Sequence, residues 1–222
     1  MIKGIFFDAA DVFYARREST KVFANRTLER MGYPTTVSAD DVAREKELQV
    51  LATEGKINYE DYWHEFLQMR RVQDVNQRLG LIQQILECSN DVYAIPGGRE
   101  ALSGLKQRGF TIGIVTDTMY PVEWKMNWLT QVGVAEFIDV VACSTVLKAH
   151  KPNPELYVNA MQQAKLGADV SAFVGHDARE LDGARRAGMK TVAVNYDPHA
   201  QADYYCKSLV DLLNVPIFQV AQ

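Results

Sequence analysis

Ile2–Phe7 is a short, largely apolar, β-favouring run at the start of the chain. It is too short for a helix and apolar on both faces, so it predicts a strand buried within a parallel sheet. From about Tyr14 to Val92 the pattern becomes helical and charged. Ser38, with Asp41 three residues later, resembles a capping box ahead of Val42–Leu51. Asn58 is placed to cap a segment in which Tyr59, Tyr62, Trp63 and Phe66 fall at i, i+3, i+4 and i+7. Such a stripe serves either a helical module's own core, its commoner use, or a pocket wall. No strand pattern interrupts this stretch, which predicts an all-helical module.

After Ile95-Pro96-Gly97-Gly98 helix and strand alternate. Arg99–Arg108 reads as a helix ended by Gly109, followed by a strand over Phe110–Val115. Helices over Val122–Val132, Pro154–Gln163 and Glu180–Ala187 then alternate with strands over Phe137–Ala142, Ala172–Val174 and Thr191–Val194. Alternation of this kind builds a parallel sheet covered by helices, and the first strand must join it to find partners. The expected architecture is α/β: a doubly wound, Rossmann-like core from 1–13 and 93–222, with an α-helical bundle cap, 14–92, inserted after the first strand.

In open α/β sheets ligands bind beyond the carboxyl ends of the strands. The segments there are Asp8-Ala9-Ala10-Asp11, Thr116-Asp117-Thr118, Ser144 to Lys151, and Gly175-His176-Asp177 to Glu180. A strand-end carboxylate is a candidate nucleophile, and a lysine beside it would hold it ionised and neutralise an anionic substrate. A hydroxyl such as that of Thr116 would bind the substrate's oxygens. A dinucleotide loop would put glycines where Asp8 stands, and no Walker loop is present.

The length of 222 residues suits one domain carrying an insertion, and 47% hydrophobic with 23% charged residues is the balance of a folded chain. A net charge of −4 gives no reason to expect a nucleic-acid partner. The arginine pairs Arg16–Arg17, Arg70–Arg71 and Arg185–Arg186 are scattered among acids and read as solvated helix faces. No apolar run approaches a membrane span, and the opening run meets Asp8 and Asp11 too early for a secretory peptide, so a cytoplasmic protein without membrane contact is expected. Cys88, Cys143 and Cys206 are far apart and read as buried, inert thiols.

Four motifs in this order resemble those of the haloacid dehalogenase superfamily of hydrolases. They are Ile5-Phe6-Phe7-Asp8-Ala9-Ala10-Asp11-Val12, Ile112-Gly113-Ile114-Val115-Thr116-Asp117, Lys151-Pro152-Asn153-Pro154 with Tyr157, and Val174-Gly175-His176-Asp177-Ala178-Arg179-Glu180 running into Gly183-Ala184-Arg185. The resemblance implies a hydrolase with a covalent aspartyl intermediate on Asp8, assisted by Thr116 and Lys151. It implies a small anionic substrate, a phosphate monoester above all, lined by Ala9, Ala10, Asp11 and Asp117. It also implies magnesium, here on Asp8, Asp177 and Glu180, with His176 in the place of a usual ligand.

The departures from the pattern bear on the chemistry. Ala10 stands where the family's phosphatases carry their general acid and base, Asp11 replaces the glycine that follows, and magnesium favours oxygen donors over His176. A one-residue shift of the loop would bring Asp11 to the leaving group; otherwise it caps a turn. The 2-haloacid dehalogenases lack that acid and need no metal, so a metal-independent dehalogenase-like hydrolase is one alternative. A catalytically impaired member that binds a ligand or partner is another. Phosphonoacetaldehyde hydrolases carry Ala at this place and use a cap lysine, for which Lys21, Lys46 and Lys56 are the candidates.

Overall fold

The computed structural model of the chain describes residues 1–219; residues 220–222, the end of the 93–222 segment, lie outside them. Strand β1 (Gly4–Phe7) is followed by a turn, the short strand β2 (Tyr14–Arg16), and four helices: α1 (Thr20–Arg30), α2 (Ala39–Thr53), α3 (Tyr59–Met69) and α4 (Val75–Ser89). Strand β3 (Val92–Ala94) leads to α5 (Gly98–Gln107), β4 (Thr111–Thr116), α6 (Val122–Gln131), β5 (Val140–Cys143) and the single turn α7 (Ser144–Leu147). The chain closes with α8 (Pro154–Gln163), β6 (Ser171–Gly175), α9 (Ala178–Arg186), β7 (Lys190–Val194) and β8 (Tyr204–Cys206).

Six strands form one parallel sheet in the order β5-β4-β1-β6-β7-β8. The apolar opening run is explained by its place: β1 lies at the centre, between β4 and β6, and is buried along its length. The chain moves outward from β1 through β4 to β5 and then returns to β6 on the other side. Loops that diverge in this way leave a crevice beyond β1. The alternation of side chains divides the core in two. Ile5 and Phe7 face Leu102, Leu105 and Leu129 of α5 and α6, whereas Phe6 faces Leu156, Tyr157 and Leu181 of α8 and α9.

The helices α1–α4 have their own apolar centre, in which Tyr62, Trp63 and Phe66 meet Leu28, Leu48 and Ile82. The aromatic stripe is thus mainly internal to this helical unit. Tyr59, at its near end, reaches Tyr120 and Trp124 of the core, with ring centroids 5.4 and 5.3 Å away. The capping residues anticipated from the pattern do cap: Ser38 Oγ accepts the Asp41 N–H and Asn58 Oδ1 the Asp61 N–H.

Local pattern was misleading in four places. The 14–92 stretch is not purely helical at its ends: β2 pairs antiparallel with β3, Tyr14 opposite Ala94 and Arg16 opposite Val92. Three-residue strands carry no readable period, and their pairing is non-local. Strand β5 starts only at Val140, because Ala135–Phe137 forms a 3₁₀ turn. The edge strand β8 was not anticipated. Helix α9 begins at Ala178, two residues before Glu180.

Arg185 and Arg186 lie exposed on α9, as a solvated-face reading expects, but Arg70 and Arg16 differ from it. Arg70 is buried, donating to Glu45 Oε2 at 2.7 Å, Asn25 Oδ1 at 3.0 Å and the Phe66 carbonyl at 3.1 Å. Lys21 makes a second ion pair to Glu45. Arg16 lies in β2, over the Trp128 ring. Cys143 and Cys206 are buried and Cys88 partly so, and all three are free. No helix among the described residues is long and apolar enough to cross a membrane.

The helical unit touches the core at the end of α2. Lys148 Nζ donates to the Gly55 carbonyl at 2.7 Å, and His150 Nδ1 lies 2.9 Å from Glu54 Oε1. Gly55 has φ +60°, and a Cβ there would stand 2.5 Å from the Thr145 carbonyl oxygen, so only glycine suits this approach.

Candidate active site

Asp8 follows β1 directly and is almost wholly buried. Its Oδ1 accepts a hydrogen bond from Lys151 Nζ at 2.5 Å, across 143 residues of sequence. Lys151 is also buried, and its ammonium lies 2.6 Å from Glu180 Oε1. One cation therefore bridges two carboxylates from three different loops. Burial pulls the lysine's pKa down, but Asp8, Glu180 and Asp117 together outweigh it and raise the pKa. It is a fixed positive charge.

What places Lys151 is its own backbone. Its N–H donates to both carboxylate oxygens of Asp117, at 3.1 and 3.2 Å. Asp117, anticipated as a substrate contact, thus uses its carboxylate to hold the lysine loop, and burial pushes its pKa up against the pull of Lys151. Thr116 ends β4 fully buried, and its hydroxyl makes only a long contact of 3.4 Å to the Asp117 carbonyl. Ser144 ties the loops together, accepting from Thr118 N–H at 3.0 Å and donating to its carbonyl at 3.2 Å.

The turn after Asp8 is tight. Phe13 N–H donates to the Ala9 carbonyl at 3.0 Å and Asp11 N–H to the Tyr14 carbonyl at 2.8 Å. Asp11 takes the left-handed conformation, φ +56°, which aspartate tolerates better than most side chains. It thereby fills the place of the motif's glycine and turns its side chain outward, 64% exposed. His176 Nε2 lies 3.9 Å from its Oδ2. The carboxylate is not shifted into the position that Ala10 leaves without an acid. Ala9 is buried beneath the turn, and Ala10 is half-buried beside the cavity that Asp117 also lines.

Asp177 and Glu180 separate in role. Because α9 starts at Ala178, Asp177 is its N-cap: Oδ1 accepts the Arg179 N–H at 2.7 Å and the Glu180 N–H at 3.2 Å. Its carboxylate is engaged there and does not join the expected metal ligands. The ligand-type atoms that do converge belong to Asp8, His176 and Glu180, all within 4.8 Å of one another. His176 Nδ1 and Glu180 Oε2 are both buried and have no hydrogen-bond partner. Two carboxylates and an imidazole make a mixed oxygen–nitrogen set, which suits manganese or zinc better than magnesium. Burial, with Asp8 close by, pushes Glu180 up to about 8, against the pull of Lys151. The Tyr157 hydroxyl donates to the Glu180 carbonyl at 2.8 Å and so locks α8 to this first turn of α9.

Of the three lysines in the helical unit, Lys21 pairs with Glu45 and Lys56 with Glu54, while Lys46 is exposed. None joins the Asp8 cluster. Two cations that local pattern did not single out, Arg16 and Lys125, instead line the cavity beside Ala10.

Residues 5–194 match the family model described as haloacid dehalogenase-like hydrolase. The glyceraldehyde 3-phosphate phosphatase of Methanopyrus kandleri is 26% identical over 202 residues, covering 87% of this chain and 84% of that protein. Among solved structures, a phosphatase of the same superfamily from Thermococcus onnurineus superimposes with a TM-score of 0.67 at 21% identity, over 96% of this chain and 97% of that one. The 2-haloacid dehalogenase of Pseudomonas syringae pv. Tomato DC3000 gives a TM-score of 0.67 at 20% identity, with the same coverage.

Proposed function

Because the chain belongs to the haloacid dehalogenase-like hydrolases, we propose that it cleaves small phosphate esters through a covalent intermediate on Asp8. The observation that carries this reading is the buried contact of 2.5 Å between Lys151 Nζ and Asp8 Oδ1. It sets a buried ammonium against a buried carboxylate at the point where an anionic group must dock. The similarity to a sugar-phosphate phosphatase supports the same substrate class.

In this reading a carboxylate oxygen of Asp8 attacks phosphorus, the P–O ester bond breaks, and the leaving oxygen departs with its electron pair. Water then hydrolyses the aspartyl phosphate and restores Asp8. Lys151 draws negative charge from the phosphoryl oxygens, and the Thr116 hydroxyl binds one of them. Asp117 acts through Lys151, by fixing its backbone. A divalent cation held by Asp8, His176 and Glu180 would add charge neutralisation on the phosphoryl group. Residues 14–92 serve as a cap over a core made of 1–13 and 93–222.

The test is chemical trapping. Wild-type protein turning over acetyl phosphate or 4-nitrophenyl phosphate is quenched in acid, and the Asp8 peptide is expected to carry one phosphoryl group. Asp8→Asn should carry none and retain less than a few per cent of the rate, while Lys151→Ala should lose more than tenfold. A phosphoryl group found on another residue, or rates untouched by Asp8→Asn, would overturn the assignment. Release of halide from 2-haloacids in chelator, with no phosphate released, would favour the metal-independent dehalogenase reading instead.

A further inference from the structure

Beside the Asp8 site lie two cations that are not held in ion pairs. Arg16, in β2, donates from Nε to the Ser89 carbonyl at 2.8 Å, and its guanidinium lies 4.3 Å over the Trp128 ring. Its Nη2 is buried with no hydrogen-bond partner. Lys125, on α6, is only 3% exposed. Its ammonium donates to the Tyr14 hydroxyl at 2.8 Å and sits 5.4 Å from the Tyr14 and Trp128 rings. Among the described residues neither cation makes an ion pair. Burying an uncompensated charge is unfavourable, and aromatic faces offset only part of that. Lys125 is buried and Arg16 half-buried with a buried Nη2, and the two put unpaired positive charge on one wall.

Both face a cavity of about 210 Å³, with Tyr120 and Trp128 as further walls and Ala10 and Asp117 at the border shared with the Asp8 site. We propose that this cavity binds a carboxylate of the substrate, so that the preferred substrates are phosphate esters of small carboxylic acids. The inference rests on the phosphate reading of the Asp8 site and narrows it. A carboxylate has one oxygen for the free Arg16 Nη2 and one for the Lys125 ammonium. A second phosphate group fits less well. The Asp117 carboxylate, which lines the same cavity, repels a dianion more strongly than a monoanion. The space beyond the carboxylate admits a chain of a few carbons, given that a water molecule occupies about 30 Å³ in the liquid.

Non-hydrolysable probes test this without turnover. Phosphonoacetate and ethylphosphonate share the phosphonate and differ in bearing a carboxylate or a methyl group. Calorimetry on the full chain is expected to give at least tenfold tighter binding of phosphonoacetate. Lys125→Met and Arg16→Gln should each reduce that preference to within about threefold. Lys125→Met should also raise the melting temperature by a few degrees, because it removes a buried charge and keeps the side chain's length. Equal binding of the two probes by the wild type would overturn the carboxylate site while leaving the phosphate reading in place. So would a preference that survives both substitutions in folded protein. If neither phosphonate binds, the phosphate reading fails and takes the carboxylate site with it.

Discussion

His176 Nδ1 stands 3.7 Å from Asp8 Oδ2, the carboxylate oxygen to which Lys151 makes no hydrogen bond. Asp8 is therefore flanked by an ammonium at one oxygen and an imidazole at the other. With Glu180 this makes a donor set of two oxygens and one nitrogen. Calorimetric titration should accordingly show manganese binding at least tenfold more tightly than magnesium. His176→Asp should reverse that order by restoring an oxygen donor, and the manganese spectrum in paramagnetic resonance should lose its nitrogen coupling. Tighter magnesium binding by the wild type would refute the assignment of His176 as a donor.

In the proposed reaction, the lack of a carboxyl at Ala10 is expected to decide which phosphate esters react. A positioned general acid contributes ~10²–10⁴-fold by protonating the departing group. Asp11 points outward and does not supply one. Aryl and acyl phosphates, which lose stable anions, should be hydrolysed well, and alkyl phosphates poorly. Ala10→Asp should raise the alkyl rate far more than the aryl rate, as a panel of esters with graded leaving-group pKa would reveal. A wild type that prefers alkyl esters, and loses that preference in Asp11→Ala, would make Asp11 the acid after all.

Glu180 makes stability depend on pH. Its carboxyl is shifted from the ordinary 4.5 up to about 8, by burial first and by Asp8 second. Between those values the unfolded chain has released this proton and the folded chain has kept it. Its stabilising effect is complete below 4.5 and is lost as pH rises through about 8. In chelator, urea melts should show stability falling across this window, with a slope of at most ~1.4 kcal/mol per pH unit. Glu180→Gln should flatten that slope; an unchanged slope would remove Glu180 as its source.

The buried pair of Arg70 and Glu45 secures the helical unit. Arg70→Ala leaves Glu45 to Lys21 alone, in a place where its side chain is 5% exposed. Loss of one partner of a buried pair costs about 3–5 kcal/mol, whereas replacing both by apolar residues is often neutral. Chemical denaturation should place Arg70→Ala near the lower end of that range and the Arg70→Met, Glu45→Leu double variant well above it. A loss under about 1 kcal/mol in the single variant would show the pair to be dispensable.

How far local pattern reached depended on the distance over which each feature is determined. Asp8 and Thr116 each end a central strand, and the apolar runs before them mark both positions. Lys151 was legible because a proline-rich helix start follows it at once. Asp177 was not, because its role turns on where α9 begins, and two residues decide between capping a helix and facing a ligand. The ribbon of β2 and β3 joins residues on either side of four helices, so no window of sequence contains it. Arg16 was hidden for the same reason: as half of a charged pair it resembles a solvated face, and only the ribbon turns it onto Trp128. The sheet, the run of helices after its first strand and the placing of Asp8 beside Lys151 were readable one segment at a time. The counter-ion balance of the neighbouring cavity was not.

The close approach at Gly55 ties motion to chemistry. The segment that carries Lys151 is held at two points: Lys148 and His150 grip the end of α2, and the Lys151 amide grips Asp117. A swing of the helical unit away from the sheet has to release the first grip, and that slackens the segment on which the ammonium rides. Admission of solvent and loss of a taut lysine are then one mechanical event. Were the helical unit to move, the contacts of Lys148 and His150 and the placing of Lys151 would change together, because they are strung on the same short length of chain.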